Sequence, residues 1–278
     1  MSYLRDNKTK FTRRVVLVTG AASFAVMGNI KPPTVSTLRT GEIGRVLRVS
    51  DGDSFVMKLD DGEELSVRLS AVQAPRMAQK SEKAWPHARE SKAGLSALIY
   101  GRQVQLFYGK ETRDRYGRAV AQVHTLDSVG QADLWVQSEM LRLGLARVFS
   151  WKGELADIDA LYQREIQARD RTRGMWGHGY YAVRRPDPDP LAQYVDSLQI
   201  VEGIVTSTAD VRGRVYLNFG SDYKTDFTIA IAKKNRKQFA AINPLDLVGA
   251  RVRVRGWIEM TNGPMIWLDH PGRLEILS

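Results

Sequence analysis

The chain has 278 residues, 43% of them hydrophobic, enough for one large domain or two small ones with cores of their own. A formal net charge of +10 favours anionic partners such as nucleic acid, phosphate or an acidic membrane surface, with a solvated basic face as the plainer reading. The absence of cysteine excludes disulfides, thiolate zinc sites and thiol nucleophiles, and His87, His124, His178 and His270 show no metal-ligand spacing.

Residues 1–36 read as a signal peptide or membrane anchor. Lys8, Lys10, Arg13 and Arg14 precede an uncharged run from Val15 to Ile30. That run is short for a span of about 20 residues but suits a signal-peptide core. Arg13-Arg14 resembles a twin-arginine export signal, and Pro32-Pro33 breaks the run. A buried hydrophobic element is the rival reading. The expected location is exported, periplasmic or otherwise extracytoplasmic, or membrane-anchored.

Alternation predicts strands at Glu42 to Val49, Ser54 to Leu59 and Glu64 to Val72, with a turn at Gly52 and a hairpin at Asp60-Asp61-Gly62. A loop from Pro75 to Pro86 leads to a helix from Ala88 to Tyr100, with Leu95, Leu98 and Ile99 inward. Val104 to Tyr108 and Ala119 to His124 are further strands. Helices are expected over Ala132 to Leu143, ended by Gly144, and over Glu154 to Arg173. Arg184 to Pro190 carries proline at every second position and reads as a stiff linker without helix or ladder. Five more strands follow, at Ile200 to Val205, Arg214 to Phe219, Asp226 to Ala232, Val252 to Ile258 and Met265 to Leu268, with a short helix over Lys233 to Ala241. The whole is mainly β with packed helices, α+β in class. It comprises one closed barrel of the oligonucleotide-binding (OB) type and a second, smaller OB-like barrel.

Three segments carry chemistry. They are Asp51-Gly52-Asp53-Ser54, Arg68-Leu69-Ser70-Ala71-Val72-Gln73-Ala74-Pro75-Arg76 and Arg113-Asp114-Arg115-Tyr116-Gly117-Arg118. An Asp-Gly-Asp turn by itself recurs in many hairpins. The order and spacing of all three, with Gly144-Leu145-Ala146-Arg147-Val148 and Arg173-Gly174-Met175-Trp176 behind them, resemble the staphylococcal-nuclease-like (thermonuclease) family over roughly residues 42–176. The resemblance implies phosphodiester cleavage with a calcium ion, two arginines and a glutamate. By position, Asp53 matches a metal-binding aspartate, Arg68 and Arg118 the phosphate-contacting arginines, and Asp51 and Asp114 structural acids of the same turns. Gln73 stands where the family has a second metal-binding aspartate and Arg76 where it has the glutamate. One carboxylate then faces three arginines. Such a pocket disfavours calcium, which takes several anionic oxygens, and favours phosphate. No cofactor is expected. Calcium at Asp53 stays possible if Arg76 turns away, and Glu82, His87 or Glu90 are candidate replacements for the missing acid or base.

Phe149 and Trp151, beside the Gly-Leu-Ala segment, are candidates for stacking on bases. Arg253 and Arg255 alternate with valines in Val252-Arg253-Val254-Arg255-Gly256-Trp257, which suits either a nucleic-acid-binding face or a plain barrel strand with a basic outer face. The divisions expected are 1–36 signal or anchor, 37–183 nuclease-like domain, 184–198 linker and 199–278 OB-like domain. The function expected is binding of nucleic acid or another anionic phosphodiester, with the nuclease site impaired and possible membrane association through the N-terminus. Two alternatives stay open: an active phosphodiesterase with altered metal dependence, and a structural or protein-interaction subunit. Whether the chain is an enzyme is not decided by its sequence, and neither are its protein partners.

Overall fold

The computed structural model describes residues 38–79, 82–153 and 156–277. The N-terminal segment read as a signal or anchor lies outside them. Strands β1 (Arg39–Asp51), β2 (Ser54–Lys58) and β3 (Glu64–Leu69) form an antiparallel meander. The two-residue β4 (Val72–Gln73) and helix α1 (Ala88–Ile99) follow, then β5 (Gln103–Tyr108) and β6 (Ala119–Leu126). β6 pairs parallel with β3, and β5 pairs with both β6 and β1, so the ladder returns on itself in a near-closed ring. Phe55, Met57, Val67, Leu69, Leu106 and Val123 fill the ring, and α1 closes it with Leu95 and Ile99. The helix is amphipathic as its spacing predicts, with Ala88, Ser91, Leu95 and Ile99 buried along one stripe.

The helix expected from Ala132 begins instead as a strand, β7 (Ala132–Trp135), and turns into α2 (Val136–Arg142). The hairpin is set by Asp127, whose Oδ1 accepts the N–H groups of Val129 and Gln131, and by Trp135 Nε1–H donating to Gln122 Oε1 at 2.8 Å. Gly144, at φ 69°, ends α2; a Cβ there would sit 2.2 Å from the Arg173 carbonyl oxygen. β8 (Arg147–Val148) pairs with β4, and α3 runs Ile158–Asp170. The expected start of α3 at Glu154 falls on residues outside those described.

The supposed linker is structured. The backbone of Arg184 exchanges hydrogen bonds with Ile200 and Glu202, and its guanidinium lies 3.6 Å from the Tyr194 ring centroid. Pro188–Ala192 forms a short helix, α4, because Pro188 occupies a first-turn position where no N–H is needed. Beyond it come β9 (Leu198–Ile204), β10 (Ser207–Val211), β11 (Arg214–Asn218) and β12 (Thr228–Ile231). A 3-10 segment (Lys233–Phe239), β13 (Arg251–Thr261), β14 (Gly263–Leu268) and β15 (Leu274–Leu277) complete the chain. β10 and β15 were not anticipated. β12 pairs parallel with β14, β14 pairs with β13, and β13 pairs with β9, which leads within two residues into β10. This repeats the wiring of the first ring around a separate core that includes Val215, Leu217, Ile229, Val254 and Ile266.

The rings meet through α3. Arg255, 1% exposed, donates to Glu165 Oε2 at 2.8 Å, to the Val148 carbonyl at 2.9 Å and to Glu275 Oε1 at 2.6 Å. Arg253 is held by Glu202 and Glu275. The basic face of β13 is therefore covered by carboxylates and by the first ring, so neither arginine is presented to nucleic acid. Tyr162 Oη–H donates to the Gly272 carbonyl at 2.6 Å, Arg273 Nε–H to the Ser150 carbonyl at 2.8 Å, and Ser150 Oγ lies 2.9 Å from His270 Nε2.

Candidate phosphodiester site

The site begins at the β1–β2 turn. Gly52 is required there, since a Cβ would lie 2.2 Å from Ser91 Oγ and 2.7 Å from Ala74 Cβ. Asp51 Oδ1 accepts the N–H groups of Gly52 (2.9 Å) and Met77 (3.2 Å), tying the turn to the loop after β4. Burial, and then the charge of Asp53, raise the Asp51 carboxyl above its ordinary pKa. Asp53, 7% exposed, accepts Ser54 Oγ–H on Oδ1 at 2.8 Å and the Ala74 N–H on Oδ2 at 3.4 Å.

Arg68 stands opposite Ser54 in the β2–β3 ladder, with Nη2 3.9 Å from Asp53 Oδ2. Arg118, one residue before β6, donates through Nε to Asp114 Oδ2 at 2.7 Å and through Nη1 to Ser54 Oγ at 3.4 Å. Asp114 also accepts the N–H groups of Tyr116 and Arg118. Burial opposes its ionisation, but these donors outweigh it and hold the carboxyl below the usual range. Thus Asp53, Arg68 and Arg118 converge on Ser54 from three elements, with Asp51 and Asp114 bracing the two turns.

The substituted positions have partners of their own. Gln73, 2% exposed, faces Arg147 across the β4–β8 ladder, and its Oε1 accepts Arg147 Nη2–H at 3.0 Å and Nε–H at 3.3 Å. Arg147 is itself 2% exposed, and burial lowers its pKa to about 10. Its guanidinium carbon lies 5.8 Å from the Trp85 ring centroid and 5.6 Å from that of Tyr181. Sequence reading passed over Arg147 as part of a segment; a basic residue opposite a glutamine that replaces an acid is the signal that would have found it. Arg76 lies between Trp85 (5.3 Å) and Trp257 (6.0 Å), the latter from β13 of the second ring.

Trp151 is 43% exposed beside Arg68, whose guanidinium carbon is 5.9 Å from the ring centroid. Phe149 is buried beneath it and has no face to offer a base. His87 precedes α1 and meets His178 at 5.9 Å, while Glu82 and Glu90 are exposed. Among the described residues, no three His, Cys, Asp or Glu side chains gather as a metal-binding group.

A family model described as staphylococcal nuclease homologue matches residues 66–178. The chain is 31% identical over 171 residues to the probable endonuclease LCL3 of Debaryomyces hansenii, covering 53% of this chain and 71% of that protein. It is 33% identical over 137 residues to the protein of the same name in Phaeosphaeria nodorum, covering 48% and 44%. To the thermonuclease of Staphylococcus hyicus it is 25% identical over 139 residues, covering 48% and 75%. A ring of strands brings Asp53, Arg68 and Arg118 to one turn, the family model runs through Arg68 and Arg118, and with these matches the chain belongs to the staphylococcal nuclease homologue family.

Proposed function

We propose that the chain binds nucleic acid or a related phosphodiester through Arg68 and Arg118, and that the calcium-dependent hydrolysis of its family is impaired. The observation that carries this is the Gln73–Arg147 pair. At the position of a metal-binding aspartate, a neutral oxygen points into a buried guanidinium. That donor set fits calcium poorly, since calcium gathers about six to eight oxygens at about 2.3–2.6 Å, carboxylates among them, and the one oxygen here is already taken by a cation. Arg76 adds a second cation where the family has its glutamate, so no acid remains there to orient water. The phosphate half is intact: two guanidinium forks flank Ser54, and Trp151 offers a ring beside Arg68.

Calcium titrated calorimetrically into the wild-type protein should give no stoichiometric heat. Gln73→Asp with Arg76→Glu should create calcium-dependent cleavage of oligonucleotides. Tight binding of calcium that Asp53→Ala removes contradicts the proposal, and a folded double variant that stays silent shows further decay. The adjoining carboxylates of Asp51 and Asp53 favour a second reading, a phosphodiesterase with altered metal use. Cleavage by wild type in magnesium or manganese, lost in Asp53→Ala, selects it.

We also propose export or membrane tethering through residues 1–36, on the basic flank and uncharged run there. Among the described residues, no helix is long and apolar enough to cross a membrane. Fractionation of the full chain tests this: full-length protein recovered soluble in the cytoplasm contradicts it.

A further inference from the structure

Trp151 is the exposed aromatic of the phosphodiester site, 43% exposed with its ring centroid 5.9 Å from the Arg68 guanidinium carbon. An indole at a loop end serves a base best when its plane is set before binding, because ordering a mobile side chain at that moment costs affinity. The first ring holds this stretch as far as Phe149, whose N–H donates to the Ala71 carbonyl at 2.9 Å. At Ser150 the partners change. Its Oγ lies 2.9 Å from His270 Nε2, and its carbonyl accepts Arg273 Nε–H at 2.8 Å. Both partners belong to the turn between β14 and β15, in the second ring. Tyr162 of α3 fastens the same turn by donating Oη–H to the Gly272 carbonyl at 2.6 Å.

The Arg273 guanidinium reaches past Ser150 to the aromatic pair. Its carbon lies 4.4 Å from the Phe149 ring centroid and 5.4 Å from that of Trp151, and those two rings meet edge to face with centroids 5.2 Å apart. Nη2 is 3.5 Å from Asp269 Oδ1, which sets the guanidinium from the other side. The Arg273 side chain is 7% exposed, so a bound strand cannot reach it, and its charge acts on the rings and not on a phosphate. Trp151 therefore has one guanidinium from each ring of strands beside it: Arg68, which faces the ligand, and Arg273, which is buried. A desolvated cation at an aromatic ring attracts it more strongly than an exposed one, so the buried partner is the one that sets the indole.

We infer that Arg273 is a positioning residue of the phosphodiester site: from the second ring it holds the Trp151 indole beside Arg68, so that the surface a strand meets is built from both rings and is incomplete without the second. The inference rests on the reading of Arg68 and Arg118 as phosphate-binding and adds the base contact next to them. It gives the second ring a part in binding that needs no nucleic-acid face of its own.

The test is a double-mutant cycle read by fluorescence anisotropy, with the full chain, a chelator and a labelled single-stranded oligonucleotide of roughly 16 nucleotides. Trp151→Leu should weaken binding roughly tenfold. Arg273→Met should weaken it roughly threefold or more, and by no more than Trp151→Leu, because it acts only through that ring. The double variant should bind within about twofold of Trp151→Leu alone, a coupling that a general loosening of the joint would not produce. Losses that multiply in the double variant overturn the inference, and so does unchanged affinity in folded Trp151→Leu or folded Arg273→Met. Arg273→Gln, which keeps a donor for the Ser150 carbonyl, takes the place of Arg273→Met if that variant does not fold. Wild type gives a reading that needs no variant: amide hydrogen exchange at Asp269 to Arg273 should slow when the oligonucleotide binds, and unchanged exchange there contradicts the coupling. Arg68→Ala with Arg118→Ala separates this inference from the reading beneath it. If that pair weakens binding and the Arg273 variants do not, the inference alone falls; if that pair leaves affinity unchanged, both fall.

Discussion

Gln73 and Arg147 face each other across a two-residue ladder, and each accounts for the other. Glutamine offers Arg147 an acceptor but no charge, so the guanidinium is left uncompensated by its ladder partner. On the reading proposed, Arg68 and Arg118 serve a phosphate. Replacing either by alanine should weaken oligonucleotide binding by about tenfold or more without altering base preference, because phosphate contacts carry no sequence information. An anisotropy titration that leaves affinity unchanged in both variants removes them from the site. Elsewhere, His124 is buried between Phe107 and Trp135, and burial lowers its pKa to about 4. The unfolded chain therefore takes up this proton first. The contribution is full above about 6.5 and is lost as pH falls from there to about 4, amounting to about 3 kcal/mol. His124→Phe should lose less stability than wild type over that interval in thermal melts at stepped pH; parallel losses contradict this.

At the scale of elements, the joint between the rings turns on Arg255. Its partners Glu165 and Val148 lie in the first ring, and Glu165 also accepts the Val148 N–H at 2.6 Å, so the joint holds β8 and with it Arg147. Arg255→Ala removes one of two cations from the buried Glu165 carboxylate, the other being Arg169 at 3.3 Å, and should cost about 3–5 kcal/mol, read as a lower denaturant midpoint. A loss under about 1 kcal/mol means that water or Arg169 already satisfies Glu165. The strand carrying Arg255 was legible from its alternation with valines, but its outer cover was not, since Glu165 is 90 residues away in sequence. Asp53, Arg68 and Arg118 were picked out by the resemblance, and the structure brings them together at Ser54 because each sits in a turn or at a strand end. β7 was missed because four residues of alternation before a helix also read as its first turn. β10 is polar and β15 only four residues long, too little pattern for a strand. The proline run was read by composition, where a helix N-terminus accepts proline.

For the whole molecule, two rings of the same wiring are held in one unit, with Arg68 and Arg118 on the first. A strand bound across six or more phosphates should lose roughly 10³-fold in affinity between about 50 and 200 mM salt. A flat salt response in filter binding contradicts a polyanion partner. The central claim, binding with impaired hydrolysis, is tested most directly by one reaction. Labelled single-stranded DNA is incubated with excess wild-type protein at low salt, with and without calcium, and scored at once for fraction bound and for strand length. The account predicts a bound strand of unchanged length in both conditions. Calcium-dependent shortening that Asp53→Ala abolishes would contradict it.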